Sequence, residues 1–247
     1  MFLIGDIGNT EIKIFLFDKK FNIKKKTVIK TKLVTSKYLS IKLNYLKTYK
    51  SNIRKILFSS VVPPAFNTIK NFLKFKNNLY IQEIKSINLK KFINIKVNKR
   101  QVGSDRIANA IGVIDNKFNY IVLDFGTATT FDVVIKNKYL GGVIAPGVSL
   151  SLKNLISKAS LIPPITLSKT SKVIGTNTDT AVKSGFYWGY TGLIDNLIKL
   201  ISKQTKKKYK IVLTGGLSYL FKNIIKGKKI IRKDLTIEGL LKITKYL

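Results

Sequence analysis

Phe2-Leu3-Ile4-Gly5-Asp6-Ile7-Gly8-Asn9-Thr10 and Ile121-Val122-Leu123-Asp124-Phe125-Gly126-Thr127-Ala128-Thr129-Thr130 read alike. In each, a short apolar run meets Asp-x-Gly, small polar residues follow, and a second patterned run begins. After the first, Ile12, Ile14 and Leu16 alternate with Lys13, Phe15 and Phe17, the period of a strand. After the second comes Phe131–Ile135, also strand-like. Asp6 and Asp124 stand 118 residues apart, about half of the 247-residue chain. The layout predicts two α/β halves, each opening on strand, turn and strand, although the two share little other sequence.

The pattern extends outward from these turns. Asp18–Asn22 reads as a turn with a third strand after it, and Lys55–Val62 as a strand stopped by Pro63-Pro64. Residues Ala65 to Asn77 and Arg106–Asp115 read as helices, the second starting just after Gly103-Ser104-Asp105. In the second half, a turn is expected at Asn137-Lys138 and a loop over Gly141–Gly147. Helices are expected over Leu150–Ala159 and Thr178–Leu200, a buried strand at Ile211-Val212-Leu213 ending in Thr214-Gly215-Gly216, and a closing helix over Ile237–Tyr246. The division predicted is 1–117 for an N-terminal domain and 118–247 for a C-terminal one.

Composition closes off whole classes of function. A chain of this length suits one large domain or two small ones, and 45% hydrophobic with 23% charged residues is a globular balance. There is no Cys and no His, which excludes a disulfide scaffold, Cys/His zinc sites, thiol nucleophiles, Ser–His–Asp triads and histidine acid–base work. The longest uncharged runs, Ile56–Ile69 and Tyr139–Leu152, are about 14 residues and contain Pro; a spanning helix needs ~20 apolar residues. Met1–Asp6 lacks the basic region and apolar length of a signal peptide. No membrane partner and a cytoplasmic location are expected.

The 46 Lys+Arg against 12 Asp+Glu leave a net charge of +34. Such a charge invites a nucleic-acid reading. Yet the lysines are scattered, short runs such as Lys24-Lys25-Lys26 and Lys206-Lys207-Lys208 lie beside turn signals, and no RRM, KH, zinc-finger or basic-zipper signature occurs. Lys, Ile and Asn share A/T-rich codons, so genomic base bias is the simpler explanation. No specific nucleic-acid partner is expected, while anionic ligands are favoured. Acids are scarce, so those in apolar or Gly-rich settings stand out: Asp6, Asp105 and Asp124.

Each of the three has a chemical reading. In Asp6-Ile7-Gly8-Asn9-Thr10, glycine lets backbone approach a ligand, loop N–H groups form a concavity for phosphate oxygens, and Asp6 can hold a hydrated Mg²⁺. Past Asp124, the hydroxyls of Thr127, Thr129 and Thr130 suit phosphate and the carboxylate suits a cation. Either turn alone is an ordinary capped bend; two of them half a chain apart favour function. In Gly103-Ser104-Asp105-Arg106, Asp105 can accept a proton from a substrate hydroxyl and Arg106 offers a planar fork to a carboxylate. A helix N-cap with a structural ion pair fits that motif equally well. The Gly-rich stretches at 141–147 and 214–216 would let a flat nucleoside approach the backbone. There is no Walker A or G-x-G-x-x-G pattern.

Nearly the whole chain resembles the type III pantothenate kinases, of the actin/Hsp70/sugar-kinase superfamily. The resemblance is carried by DIGNTEIK (Asp6–Lys13), SSVVPPAF (Ser59–Phe66), VGSDRIANAIG (Val102–Gly112), DFGTATTFDVV (Asp124–Val134), GGVIAPGV (Gly141–Val148), VIGTNTDTAVKSGFYWGYTGLID (Val173–Asp195) and LTGG (Leu213–Gly216) in this order. It implies an α/β protein of two RNase-H-like (actin-like ATPase) domains with a nucleotide cleft between them. It implies transfer of the ATP γ-phosphate to the primary hydroxyl of pantothenate, the first step of coenzyme A synthesis, by a homodimer. Carried onto this sequence, Asp6, Ile7, Gly8, Asn9, Thr10, Glu11, Ile12, Lys13 and Thr127 would hold ATP with Mg²⁺. Gly103, Ser104, Asp105, Arg106 and Thr178 would hold pantothenate, Asp105 would be the proton acceptor, and Asp124 would bind K⁺ or NH₄⁺. Two departures stand out: Lys96 replaces a usual Tyr, and Lys99-Arg100-Gln101 replaces a usual Pro-x-Glu. A non-catalytic nucleotide- or nucleic-acid-binding regulator on the same fold is the alternative, and a kinase for another small hydroxy acid is a third reading.

Overall fold

The alternation around Asp6 folds as an antiparallel hairpin of β1 (Phe2–Ile7) and β2 (Glu11–Phe17), with Asp6 opposite Lys13 and Ile7 opposite Ile12. A computed structural model describes residues 1–246. After the hairpin come β3 (Ile23–Lys30), α1 (Ser36–Lys42), α2 (Leu46–Tyr49), β4 (Lys55–Ser60), α3 (Pro63–Asn77), β5 (Gln82–Glu83), β6 (Asn94–Ile95) and α4 (Ser104–Val113). The second hairpin is β7 (Asn119–Phe125) and β8 (Ala128–Ile135), followed by β9 (Lys138–Pro146), α5 (Val148–Lys158), α6 (Thr178–Thr205), β10 (Lys210–Gly215), α7 (Ser218–Phe221), β11 (Lys229–Ile231) and α8 (Leu235–Thr244).

Packing divides the chain into two units. One holds Met1–Ile114, Asn137–Tyr139 and the chain from Asp234 onward; the other holds Asp115–Lys136 and Leu140–Lys233. Packing thus sets the last helix with the first unit, whereas the motifs alone suggest the single cut after residue 117.

In the first unit the strand order is β3-β2-β1-β4-β5, antiparallel across β3, β2 and β1 and parallel from β1 to β4 and β5. Leu3, Ile7, Ile12, Ile14 and Phe58 face one side and are buried against Leu39 of α1 and Ile69 and Leu73 of α3. Pro63 and Pro64 occupy the first turn of α3, where no N–H is required, so they start the helix that the sequence placed at Ala65. Gly5 makes room for its neighbour, because a Cβ there would fall inside the Phe58 ring. The other side of the sheet carries Asp6 and is covered by α8 and α4. These two helices touch backbone to backbone: a Cβ on Gly239 would fall on the carbonyl of Ala108. Lys242 donates to the carbonyls of Ile111 (3.3 Å) and Ile114, and Thr236 Oγ1 donates to Asn109 Oδ1 at 2.9 Å. At the start of β9, Lys138 and Tyr139 pair in parallel with Asn94 and Ile95 of β6.

The second sheet repeats the plan over β9-β8-β7-β10-β11 and carries β6 as a sixth strand on the outer edge of β9. β7 and β8 are antiparallel, and β7, β10 and β11 are parallel. With β6 set aside, both sheets run third, second, first, fourth, fifth strand, the order of ribonuclease H-like folds. Ile121, Leu123, Phe125, Phe131 and Leu213 face a core shared with Val148, Tyr187, Ile194 and Phe221, and Phe125 stacks on Phe221 at 5.1 Å.

One expectation fails. Gly141–Gly147 is not a loop: β9 runs through it to Pro146, with Gly141 at φ 101°. Glycine opposes a strand locally, but the strand β8 alongside supplies the hydrogen-bonding edge that keeps the segment extended. Among the described residues no helix is long and apolar enough to cross a membrane.

Candidate active site

Register places the first loop's polar groups on one face. Asp6 lies opposite Lys13 on β2 and opposite Ser59 on β4, and residues opposite each other share a sheet face. Ser59 Oγ donates to Asp6 Oδ1 at 2.5 Å. Lys13 Nζ in turn donates to Asp234 Oδ1 at 3.1 Å. Ile7 and Ile12 are fully buried in the core on the opposite face, so only their backbone can meet a ligand. Asn9, Thr10 and Glu11 are exposed. The turn is closed by Gly8 N–H donating to the Glu11 carbonyl at 3.0 Å.

The helix carrying Asp105 starts at Ser104, two residues ahead of the sequence expectation, because Gly103 takes the extended N-cap position (φ −58°, ψ 141°). Asp105 and Arg106 therefore sit in the first turn of α4. Asp105 Oδ1 accepts the Arg106 N–H at 2.8 Å, and a Cβ on Gly103 would collide with that same oxygen. Glycine is needed there to leave the carboxylate its place. Burial pushes the Asp105 carboxyl above its ordinary value; the Arg106 N–H, the Arg106 guanidinium and Lys85 pull it back only in part. Ser104 is buried and donates to Glu83 Oε1 at 2.5 Å, while Glu83 Oε2 accepts the Lys85 N–H at 2.6 Å. α4 packs on β4, the strand whose Ser59 holds Asp6.

The two departures also have places. Lys96 follows β6 with its side chain exposed, and its N–H donates to the Tyr139 carbonyl at 2.9 Å. Lys99 is half-buried and donates to the carbonyls of Lys85 (2.8 Å) and Ile87 (3.2 Å). It ties down the segment that leads into α4.

In the second unit Asp124 lies opposite Thr130 on β8 and Thr214 on β10, the counterpart of Asp6 with Lys13 and Ser59. Gly215 follows at φ +83°, and a Cβ there would stand 2.6 Å from Asp124 Oδ1. Glycine there leaves room for the Asp124 carboxylate and the Phe125 backbone. Thr127 is exposed on the hairpin turn, and Gly147, the N-cap of α5, packs against its carbonyl so closely that a Cβ would overlap it. Thr178 is the exposed first residue of α6, which opens on a capping box between Asn177 and Thr180. The structure thus groups Asp6 with Lys13, and Gly103 with Ser104, Asp105 and Arg106, in the first unit. Thr127, Asp124 and Thr178 belong to the second.

The cation readings can be set against these donors. Among the described residues no group of three or more Asp, Glu, His or Cys could hold a metal ion. Mg²⁺ accompanying a nucleotide needs only one or two carboxylates besides phosphate and water, and Asp6 meets that. Asp124 offers carboxylate oxygens, the hard donors that suit a monovalent cation, with Thr130 and Thr214 as its register partners.

Ser59, Glu83 and Asp234 play parts that sequence reasoning did not assign. Glu83 and Asp234 are among the chain's 12 acids but lie in no Gly-rich or apolar motif. Ser59 lies within the apolar run Lys55–Val62 and opens the SSVVPPAF block, yet neither names Asp6 as its partner.

A solved structure from Campylobacter jejuni, provisionally assigned to the Baf family of transcriptional activators, superposes with a TM-score of 0.66 at 22% identity, covering 99% of this chain and 98% of that one. The inorganic polyphosphate/ATP-glucomannokinase of Arthrobacter sp. strain KM superposes with a TM-score of 0.52 at 12% identity, covering 100% and 99%. The duplicated sheets, the paired Asp-x-Gly turns and these likenesses define a protein of the actin-like, sugar-kinase class of α/β folds. The family model for type III pantothenate kinase matches residues 2–200. A type III pantothenate kinase of Pelagibacter ubique (strain HTCC1062) is 55% identical over 244 residues, which is 99% of this chain and 98% of that protein. The chain belongs to the type III pantothenate kinase family.

Proposed function

We propose that the protein transfers the γ-phosphoryl group of ATP to the primary hydroxyl of pantothenate, the first step of coenzyme A synthesis. The observation that carries this is full-length kinship with a type III pantothenate kinase in a chain whose two Asp-x-Gly hairpins occupy matching places in two matching sheets. Asp6–Lys13 and Thr127 hold ATP; Gly103–Arg106 and Thr178 hold pantothenate, with Arg106 facing its carboxylate. Asp105 takes the hydroxyl proton as the hydroxyl oxygen bonds to the γ-phosphorus and the bond to the β,γ-bridging oxygen breaks, releasing ADP. Raised basicity of the buried Asp105 helps it accept that proton. Asp6 would hold Mg²⁺ and Asp124 would hold K⁺ or NH₄⁺; bound there, these cations neutralise phosphate charge. Use of ATP as donor places the enzyme in the cytoplasm.

We further infer a homodimer. One face of α6 presents Ala181, Gly185, Gly189, Gly192 and Asn196, all exposed, and a Cβ on any of the three glycines would meet nothing within 4 Å. Each mid-helix glycine costs about 1 kcal/mol against alanine, and among the described residues nothing outside the helix backbone crowds the place of its missing Cβ. Close approach of a second α6 is a use for that face, and Thr178 lies at its head.

The test is phosphorylation of pantothenate by the purified protein with ATP and Mg²⁺, in K⁺ and in Na⁺. Asp105→Asn is expected to lose ~10²–10⁴-fold in kcat while still binding ATP by calorimetry. Full turnover in that variant removes Asp105 as the base. Absence of product from the folded wild type, with DNA binding that survives ~200 mM salt, moves the protein to the regulator reading.

A further inference from the structure

Asp234 is the point where the chain returns from the second unit to the first, directly ahead of α8. It holds the N-cap position of that helix, yet its side chain caps nothing. Aspartate at this position ordinarily spends its oxygens on the helix N–H groups. Here both go elsewhere: Lys13 Nζ donates to Oδ1 at 3.1 Å and Lys26 Nζ to Oδ2 at 2.8 Å. Asp234 and Lys13 are largely shielded, with 24% and 28% of their side chains exposed. The two ion pairs hold the Asp234 carboxyl below its ordinary value against the opposing effect of burial.

The two lysines come from neighbouring strands. Lys26 lies opposite Phe15, two residues along β2 from Lys13, so the ammonium groups share one sheet face as diagonal neighbours. Without a carboxylate between them they would repel. Lys26 also sits over the Phe15 ring at 4.7 Å, which gives it a second anchor. Lys13 lies opposite Asp6 in the turn that opens the chain. A lysine arm is flexible, and orienting it before a ligand arrives removes an ordering cost from binding.

We propose that Asp234 is a positioning residue: it holds the Lys13 ammonium in place to meet the phosphates of the nucleotide. The proposal rests on the reading that Asp6–Lys13 holds ATP. It assigns to the head of the last helix a part in a site otherwise built from the first hairpin.

The experiment compares Asp234→Asn, Asp234→Ser, Lys13→Gln, Lys26→Gln and the double variant Lys13→Gln/Asp234→Asn. Asn and Ser both cap helices well, so either carries the test if the other fails to fold. Expected are a KM for ATP raised about 5–10-fold in Asp234→Asn, kcat changed by less than about twofold, and KM for pantothenate unchanged. In the Lys13→Gln background Asp234→Asn should add nothing, since the group it positions is gone. Lys26→Gln should lower the urea midpoint but leave the KM for ATP in place. Additive effects of Lys13→Gln and Asp234→Asn, or equal losses of ATP affinity from Lys26→Gln and Asp234→Asn, overturn the proposal in favour of simple anchoring of α8. Weakened ATP binding in Lys13→Gln with none in Asp234→Asn refutes the positioning role alone. Unchanged ATP binding in Lys13→Gln removes the underlying reading of the loop as well.

Discussion

Ionising Asp105 costs folding free energy, because desolvation outweighs the help of Arg106 and Lys85. The sign of the pH dependence follows. A carboxyl raised in the folded state contributes stability below its unfolded value, and that contribution is lost as pH rises through the folded value. Asp105→Asn is therefore expected to unfold at a urea concentration no lower than wild type at pH 7, while its turnover is lost. Activity runs the other way, since only the ionised carboxylate can take a proton. The acid limb of kcat/KM should have its midpoint above the ordinary aspartate value of 3.8. A midpoint at or below that value would contradict the buried setting. At this scale Asp6, Asp105 and Asp124 were legible because an acid beside glycine is conspicuous in a lysine-rich chain. Glu83, which fixes Ser104 next to Asp105, was not, since nothing within a few residues of it marks its partner.

At the scale of elements, α4 is held from behind by α8, and the contact is closer than side chains allow. Gly239 meets the Ala108 carbonyl, and Gly112 lies against Leu235. Gly239→Ala would regain about 1 kcal/mol of helix propensity but force two backbones apart, an overpacking cost of about 3 kcal/mol. A net loss of about 2 kcal/mol is expected, read as a lower urea midpoint. Because α4 carries Asp105 and Arg106, kcat/KM should fall with it. A variant as stable as wild type would show that the helices separate freely. The strands of both hairpins, β3, β4 and β10, and the longer helices to within about five residues, were legible in the sequence, whereas the two- and three-residue strands β5, β6 and β11 were not. β9 did not: its glycines argue for a loop, and only the strand alongside decides otherwise.

For the whole molecule, the assembly reading makes a simple demand of α6. The Cβ of Gly189→Arg meets nothing beyond its own helix backbone and chain neighbours within 4 Å among the described residues, and the variant should fold. It should shift sedimentation from twice 27.9 kDa to 27.9 kDa; a wild type that already sediments as one chain removes the dimer. The sequence by itself determined the duplicated plan, both Asp-x-Gly turns, the Gly-Ser-Asp-Arg motif and the exclusion of His and Cys chemistry. All of these lie in stretches of a few residues, where turn chemistry and period-two burial act locally. Only the tertiary structure decided that Ser59 holds Asp6 across 53 residues and that Asp234 reaches Lys13 across 221. It also decided that the last helix belongs with the first sheet. Those pairings arise when apolar faces are buried and strands find their register, and the drive for burial does not name its partners along the chain.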